Sequence, residues 1–69
     1  MTENWRKLTS SNLDAFDYDA DMKVLHVRFQ GGRVYSYANV PAEVADGLSK
    51  ADSAGKYFMR QVKGLYKVM

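Results

Sequence analysis

The chain of 69 residues contains no cysteine, one proline and one histidine. Without cysteine, neither a disulfide nor a thiolate metal site can reinforce the core. One histidine is too few for a zinc site built from imidazole groups, so we predict no metal and no cofactor. A chain without disulfides suits a reducing compartment, and the predicted location is the cytoplasm.

Long apolar runs are also missing. No segment approaches the ~18 apolar residues of a membrane span, and the start of the chain, MTENWRKLTSS, lacks the apolar core of a signal peptide. We therefore predict no membrane association. With 46% hydrophobic and 13% aromatic residues, the composition is that of a folded protein. A chain this short forms one domain with a small core and little room for a deep pocket.

The sequence contains no recognisable catalytic pattern. Nucleophilic catalysis by serine would require His26 beside a residue such as Ser10 or Ser53, and no G-x-S-x-G elbow is present. A lone histidine beside Arg28 is typical of an exposed strand position. We therefore predict no enzyme activity and no catalytic residues.

Three aspartates alternate at positions 17, 19 and 21 in the manner of a calcium loop. An EF-hand loop that began at Asp17 would require glycine at its sixth position and glutamate at its twelfth. Those positions hold Met22 and Arg28. The pattern therefore favours aspartates that solvate a hairpin and cap its bend.

Three segments have the alternation and turn signals of short strands. Val24 to Phe29 alternates most clearly, and the segments 13–18 and 33–38 flank it across short turns. Connections of this length join antiparallel neighbours. The sequence therefore predicts a three-stranded antiparallel meander.

The loop between the second and third strands decides which face Tyr35 and Tyr37 occupy. A two-residue turn at Gly31-Gly32 would place both rings beside His26 and Arg28, as a stacking platform of the kind that single-stranded RNA uses. A shift of one residue would move both rings to the opposite face.

A three-residue loop at positions 30–32 instead pairs Val27 with Tyr35 and Leu25 with Tyr37. This register gathers the large apolar side chains beneath the helices and is the one that we favour. It predicts that both tyrosines are mostly buried.

Two helices follow the strands. Pro41 suits a first helical turn, with Asn39 as a candidate cap, and the first helix is predicted over 41–51. Ser53 is the predicted cap of a second helix that runs from Ala54 toward Leu65. The apolar faces predicted from the helical period are Val44, Ala45, Leu48 and Ala51 in the first helix, and Phe58, Met59, Val62, Leu65 and Tyr66 in the second.

The formal net charge is only +2, but the charges are unevenly distributed. Residues 14–21 carry four aspartates and no base, whereas residues 50–69 carry five bases and one aspartate. The bases form a line opposite the apolar face of the second helix, unless Gly64 ends that helix and Lys67 leaves the line. The candidate contacts for a phosphate or an acidic partner are Lys56, Arg60, Lys63 and Lys67, with Lys50, Arg6 and Lys7 as further candidates. A solvated helix face is the simpler interpretation of the same line. Trp5, beside Arg6 and Lys7, either extends this surface or packs against the fold.

The ordered features resemble those of a small known family, the lysyl-tRNA synthetase C-terminal domain, or KTSC domain. The matching residues are Ser10-Ser11-Asn12-Leu13, Tyr18-Asp19, Leu25-x-Val27-x-Phe29, Gly31 or Gly32, Tyr35-x-Tyr37, Val40-Pro41, Leu48, Ala51, Ser53-x-Gly55-x-Tyr57-Phe58 and Val62. The resemblance covers about residues 10–66. It implies an appendage of some lysyl-tRNA synthetases that also exists as a stand-alone protein of bacteria and phages. It supplies no catalytic residues, and RNA binding is the role suggested for it.

Together these features predict an α+β fold, in which a three-stranded antiparallel meander is followed by two C-terminal helices packed on one face. Residues 1–9 are predicted as a tail and residues 10–69 as the KTSC-like domain. The leading functional hypothesis is non-catalytic binding of RNA or another nucleic acid through the basic helix. The alternative is a protein-interaction module, such as a small phage protein that binds an acidic host partner. No oligomeric state is predicted.

Overall fold

In a computed structural model, which describes residues 4–69, four strands are followed by two helices. The strands are β1 Arg6–Lys7, β2 Leu13–Asp19, β3 Val24–Phe29 and β4 Val34–Tyr37, and the helices are α1 Ala42–Lys50 and α2 Ala54–Gln61. The strands form one antiparallel sheet in chain order, β1-β2-β3-β4. The α+β class and the meander are confirmed, but the sheet has four strands and not three.

The additional strand is β1, which lies in the segment predicted as a tail. Arg6 pairs with Phe16 and Lys7 with Ala15, and the Leu8 amide then donates to the Asp14 carbonyl at 2.9 Å. The outer edge of β2 supplies the backbone partners that this short segment lacks by itself. The prediction of a tail is therefore wrong for these residues, while its first three residues lie outside the described part of the chain.

The β3–β4 hairpin has the register predicted from a three-residue loop. Leu25 pairs with Tyr37 and Val27 with Tyr35, and the loop closes where the Phe29 amide donates to the Arg33 carbonyl at 2.8 Å. Gly31 and Gly32 have positive φ angles of 100° and 98°, which residues with a Cβ atom rarely adopt.

The two tyrosines differ in burial. Tyr37 is 5% exposed and packs edge-on against Phe58 of α2 at a centroid distance of 5.7 Å. Tyr35 is 39% exposed, and the centroid of its ring lies 5.5 Å from that of Phe29. Phe58 contacts Phe29 and Tyr37, so Tyr35 lies at the margin of the surface that α2 covers. Burial is confirmed for Tyr37 and wrong for Tyr35.

A single core lies between one face of the sheet and the two helices. Its buried members are Leu13, Phe16, Leu25, Val27, Tyr37 and Val40 from the sheet side, with Ala45, Leu48, Ala54, Phe58 and Val62 from the helical segment. Leu25 and Val27 alternate with His26 and Arg28 along β3, which sends the polar side chains to the opposite face of the sheet. That opposite face is called here the helix-free face.

The helix ends depart from prediction at two points. Asn39 does not cap α1: it has a φ of 59°, and Pro41 occupies the cap position without a side-chain hydrogen bond. Ser53 does cap α2, because its hydroxyl oxygen accepts from the Lys56 amide at 3.3 Å. α2 then ends at Gln61, short of the predicted Leu65.

The early end of α2 has a local and a tertiary cause. The Lys63 amide donates to the Phe58 carbonyl at 2.9 Å, and Gly64 follows with a φ of 83°. The chain then runs along the edge of β4, where Val68 pairs with Tyr37 in an antiparallel bridge. Residues 62–66 make local turn hydrogen bonds, and residues 67–69 bond instead to the open edge of β4.

Candidate nucleic-acid interface

Two of the predicted basic contacts, Lys56 and Arg60, lie one turn apart on α2 and line the same cleft. Both are exposed. Three ion pairs form among residues 4–69, and neither of these side chains takes part in one. The opposite wall of the cleft is the Ser10–Asn12 loop. The cleft therefore combines two cations with hydroxyl and amide groups.

Lys63 and Lys67 are exposed but lie beyond the end of α2. The Lys67 carbonyl accepts from the Ala38 amide at 3.0 Å, which fixes its backbone beside β4. The predicted line of four bases along one helix is therefore wrong in geometry, and only Lys56 and Arg60 share the helix.

The other three predicted contacts are positioned by different elements. Lys50 ends α1 and pairs with Asp46 at 3.0 Å, and Lys7 on β1 pairs with Asp14. The Arg6 guanidinium lies 6.0 Å from the centroid of the Phe16 ring. Lys7 and Lys50 thus have carboxylate partners, unlike the two cations of the cleft.

The helix-free face carries a charged cluster that the sequence did not predict. The Arg28 guanidinium lies 4.6 Å from the centroid of the Trp5 ring, and its Nε donates to Asp14 Oδ2 at 2.7 Å. The hydrogen bond from Lys7, followed by the one from Arg28, holds the pKa of the Asp14 carboxyl below its usual value. Trp5 therefore packs against the fold. In the sequence, the one indication of this contact is a lone tryptophan in a polar segment.

A serine–histidine pair also lies on the helix-free face. His26 Nδ1 is 2.6 Å from Ser36 Oγ, and Asp17 is the register partner of His26 on β2. Among the hydrogen bonds of residues 4–69, however, Asp17 accepts from the Asn4 amide at 3.3 Å and none joins it to His26. Among residues 4–69, no acid is therefore hydrogen-bonded to His26 in the way that a catalytic triad requires.

The alternating aspartates stabilise a turn. Asp19 Oδ1 accepts from the amides of Asp21 and Met22 at 3.1 and 3.2 Å, as the hairpin interpretation predicted. Residues 4–69 contain no group of three or more histidine, cysteine or acidic side chains arranged to hold a metal ion. In the same part of the chain, neither helix has the length and apolar character needed to cross a membrane.

Comparison with known proteins identifies the class of domain. The sequence profile of the KTSC domain matches residues 9–66. A solved structure of a KTSC domain protein from Yersinia pestis superposes with a TM-score of 0.91 at 26% identity, over 96% of this chain and 93% of that one. The chain belongs to the KTSC domain family.

The relatives include proteins of two lengths. An uncharacterized protein of Stutzerimonas stutzeri is 41% identical over 81% of this chain and 79% of its own length. A protein of Tsukamurella paurometabola is 38% identical over 87% of this chain and 90% of its own. A lysine–tRNA ligase of Nostoc punctiforme is 34% identical over 88% of this chain but only 11% of its own length. The same domain therefore occurs both in proteins of about this size and as a small part of a much larger enzyme.

Proposed function

We propose that this KTSC domain is a non-catalytic module that binds RNA through the α2 cleft. The observation that carries the proposal is the position of Lys56 and Arg60, which line one cleft without a carboxylate partner among residues 4–69. Unpaired cations attract phosphate groups most strongly, because no neighbouring acid already neutralises them.

The distribution of charge near the cleft supports an anionic ligand. No acidic residue follows Asp52 in the sequence, whereas Lys56, Arg60, Lys63 and Lys67 all do. A local excess of one charge steers ligands of the opposite sign even when the net charge is small. Lys63 and Lys67 lie outside α2 and do not line the cleft, so the positive charge within it comes from Lys56 and Arg60.

The relatives support RNA over other anions. A lysine–tRNA ligase carries a segment that is 34% identical to this chain, and a protein with that name acts on transfer RNA. An RNA-binding appendage would raise the local concentration of such a substrate, as linked binding modules do. A stand-alone copy of the same domain would offer the RNA contact without the ligase.

The test is the salt dependence of RNA binding, measured by the fluorescence anisotropy of a short labelled single-stranded RNA. Each phosphate neutralised on a single strand contributes about −0.7 to the slope of log K against log salt. The double variant Lys56→Gln/Arg60→Gln should therefore lose affinity at low salt and flatten the slope by about 1.4. Lys23→Gln, in the turn before β3, is the control and should leave both quantities unchanged.

Either of two results would refute the proposal. The first is no RNA binding at low salt by the folded wild-type domain. The second is a slope that Lys56→Gln/Arg60→Gln and Lys23→Gln change equally, because the cleft would then have no special role. An acidic protein that competes with RNA only when Lys56 and Arg60 are intact would point to the same cleft but to the protein-interaction alternative.

A further inference from the structure

Two cavities adjoin beside the start of α2, and together they form a larger site than the α2 cleft alone. We call the first, of about 380 Å³, the apolar cavity. The second, of about 340 Å³, is the α2 cleft itself, and we call it the basic cavity. Both are lined by Ser11, Asn12, Gly55 and Met59. Volumes of this size are in the range of small-ligand pockets.

The apolar cavity has hydrophobic walls and a polar rim. Phe29 and Met59 supply most of its accessible apolar surface, because Leu13 and Phe58, which also line it, are only 1% and 3% exposed. The rim carries the side-chain amides of Asn12 and Gln30. Gln30 Nε2 donates to the Ser10 carbonyl at 3.2 Å, which leaves its side-chain oxygen available as an acceptor. The side-chain amide of Asn12 makes no hydrogen bond among residues 4–69, although its backbone amide donates to Ser10. Apolar walls with amides at the rim suit a flat ring that has polar groups at its edge, as a nucleobase has.

The basic cavity contains the groups that bind a phosphate. Lys56 and Arg60 supply two cations. The hydroxyl oxygen of Ser53 accepts from the Lys56 amide, and that of Ser10 accepts from the Asn12 and Leu13 amides. Because both oxygens act as acceptors in these bonds, both hydroxyl hydrogens remain available to donate to an anion.

Gly55 lies where the two cavities meet. A Cβ atom there would stand 3.4 Å from Ser10 Oγ and 3.6 Å from Asn12 Nδ2. These are ordinary contacts for a single methyl group, but a larger side chain would extend into the space that the cavities share. The absence of a side chain at Gly55 leaves unfilled the narrow gap beside Ser10 and Asn12, which we call the passage between the cavities.

We propose that the paired cavities bind one unpaired nucleotide of a single-stranded nucleic acid, with its base in the apolar cavity and its phosphate in the basic cavity. A nucleotide joins a flat apolar ring to an anion across one sugar, and the cavities offer the two complementary environments side by side. A base within a duplex is stacked and paired, and its ring faces are not accessible to such a pocket. This proposal rests on the proposed function and adds to it a selectivity for single strands.

The first experiment changes the ligand, so it does not depend on any variant folding. Three probes of equal phosphate number are compared at one low salt concentration: a short single-stranded RNA, the same strand with its bases removed, and an RNA duplex of matched charge. The wild-type domain should bind the abasic strand roughly tenfold more weakly than the intact strand, the size of one lost base contact. It should also prefer the intact strand to the duplex. Equal affinity for the intact and abasic strands would refute the base cavity while leaving the charge-driven function in place. No binding of any probe would refute both.

The second experiment fills the passage. Gly55→Val should abolish the preference for the intact strand over the abasic strand and leave the salt slope unchanged, because Lys56 and Arg60 remain. Ala42→Val, at the exposed start of α1, places the same valine side chain outside both cavities and should retain the preference. Far-UV circular dichroism establishes that each variant is folded. A folded Gly55→Val variant with the wild-type preference would refute the proposed position of the base.

Discussion

The contact between the two helices leads to a prediction that reverses the usual effect of replacing glycine in a helix. Gly47 lies inside α1, where alanine is normally about 1 kcal/mol more stable. Here the Tyr57 ring of α2 covers it, and a Cβ atom would lie 2.7 Å from Cζ of that ring and closer still to Oη. Gly47→Ala should therefore destabilise the domain.

The size of the destabilisation follows from the interactions that the Tyr57 ring would lose. Tyr57 is half-buried, and its hydroxyl donates to the Val44 carbonyl at 3.0 Å. Moving the ring would break that bond and its packing, at a cost of about 2–3 kcal/mol for an overpacked site. The helix-propensity gain offsets about 1 kcal/mol of this. The net expected loss is about 1–2 kcal/mol, in a domain of this size whose free energy of unfolding is about 3–10 kcal/mol.

The sign should reverse when the ring is absent. In a Tyr57→Ala background, Gly47→Ala should stabilise by about 1 kcal/mol, because only the propensity difference remains. The coupling between the two positions is then about 2–3 kcal/mol, large for a single pair. Tyr57→Phe is the control: it removes the hydroxyl but keeps the ring, so Gly47→Ala should still destabilise that variant.

Urea denaturation followed by circular dichroism measures all of these free energies, provided that the slopes of the transitions agree. The same change in stability for Gly47→Ala with and without the Tyr57 ring would mean that the ring does not cover Gly47. A stabilising Gly47→Ala in the wild-type chain would refute the packing of α1 on α2 described above.

Two further predictions concern the core and the helix-free face. Phe58 is 3% exposed and meets two other rings, so Phe58→Ala should cost about 3–5 kcal/mol, whereas exposed Lys63→Ala should change stability by less than about 0.5 kcal/mol. Equal urea midpoints for these two variants would contradict the burial of Phe58 in the core. The pKa of Asp14 is lower in the folded state than in the unfolded chain, so its ion pairs stabilise the folded state above about pH 4. That stabilisation is lost as the pH falls through the folded-state pKa. Asp14→Asn should therefore be less stable than wild type near neutral pH and approach it in acid; a difference that does not depend on pH would contradict the ion pairs.

The hairpin was predictable because two independent signals agree on one register. The loop Gln30-Gly31-Gly32 allows a three-residue connection, and the alternation of β3 requires Leu25 and Val27 to face the core. Either signal alone does not decide which face of the sheet Tyr35 and Tyr37 occupy. The burial of Tyr35 was not predictable in the same way, because it depends on how far α2 extends over the sheet, which is a tertiary distance.

The ends of the chain were predicted less well, for a common physical reason. Arg6–Lys7 and the segment around Val68 are both held by hydrogen bonds to strand edges that are distant in sequence. A two-residue strand has no periodicity to detect, and the helical period of α2 continues through Leu65 and Tyr66 although the helix ends at Gln61. Gly64 was the correct signal for that end, and the sequence offered no measure of its strength against the amphipathic pattern.

The ion pairs show why the number of basic residues in a segment was a poor guide to the candidate site. Three basic side chains have an acid beside them: Lys7 and Arg28 share Asp14, and Lys50 has Asp46. A cation with such a partner contributes little to binding an anion, because the ligand must compete with the carboxylate. Lys56 and Arg60 have no such partner among residues 4–69. The salt slope of RNA binding should therefore respond to the α2 cleft and not to Lys7, even though all of these side chains carry the same charge.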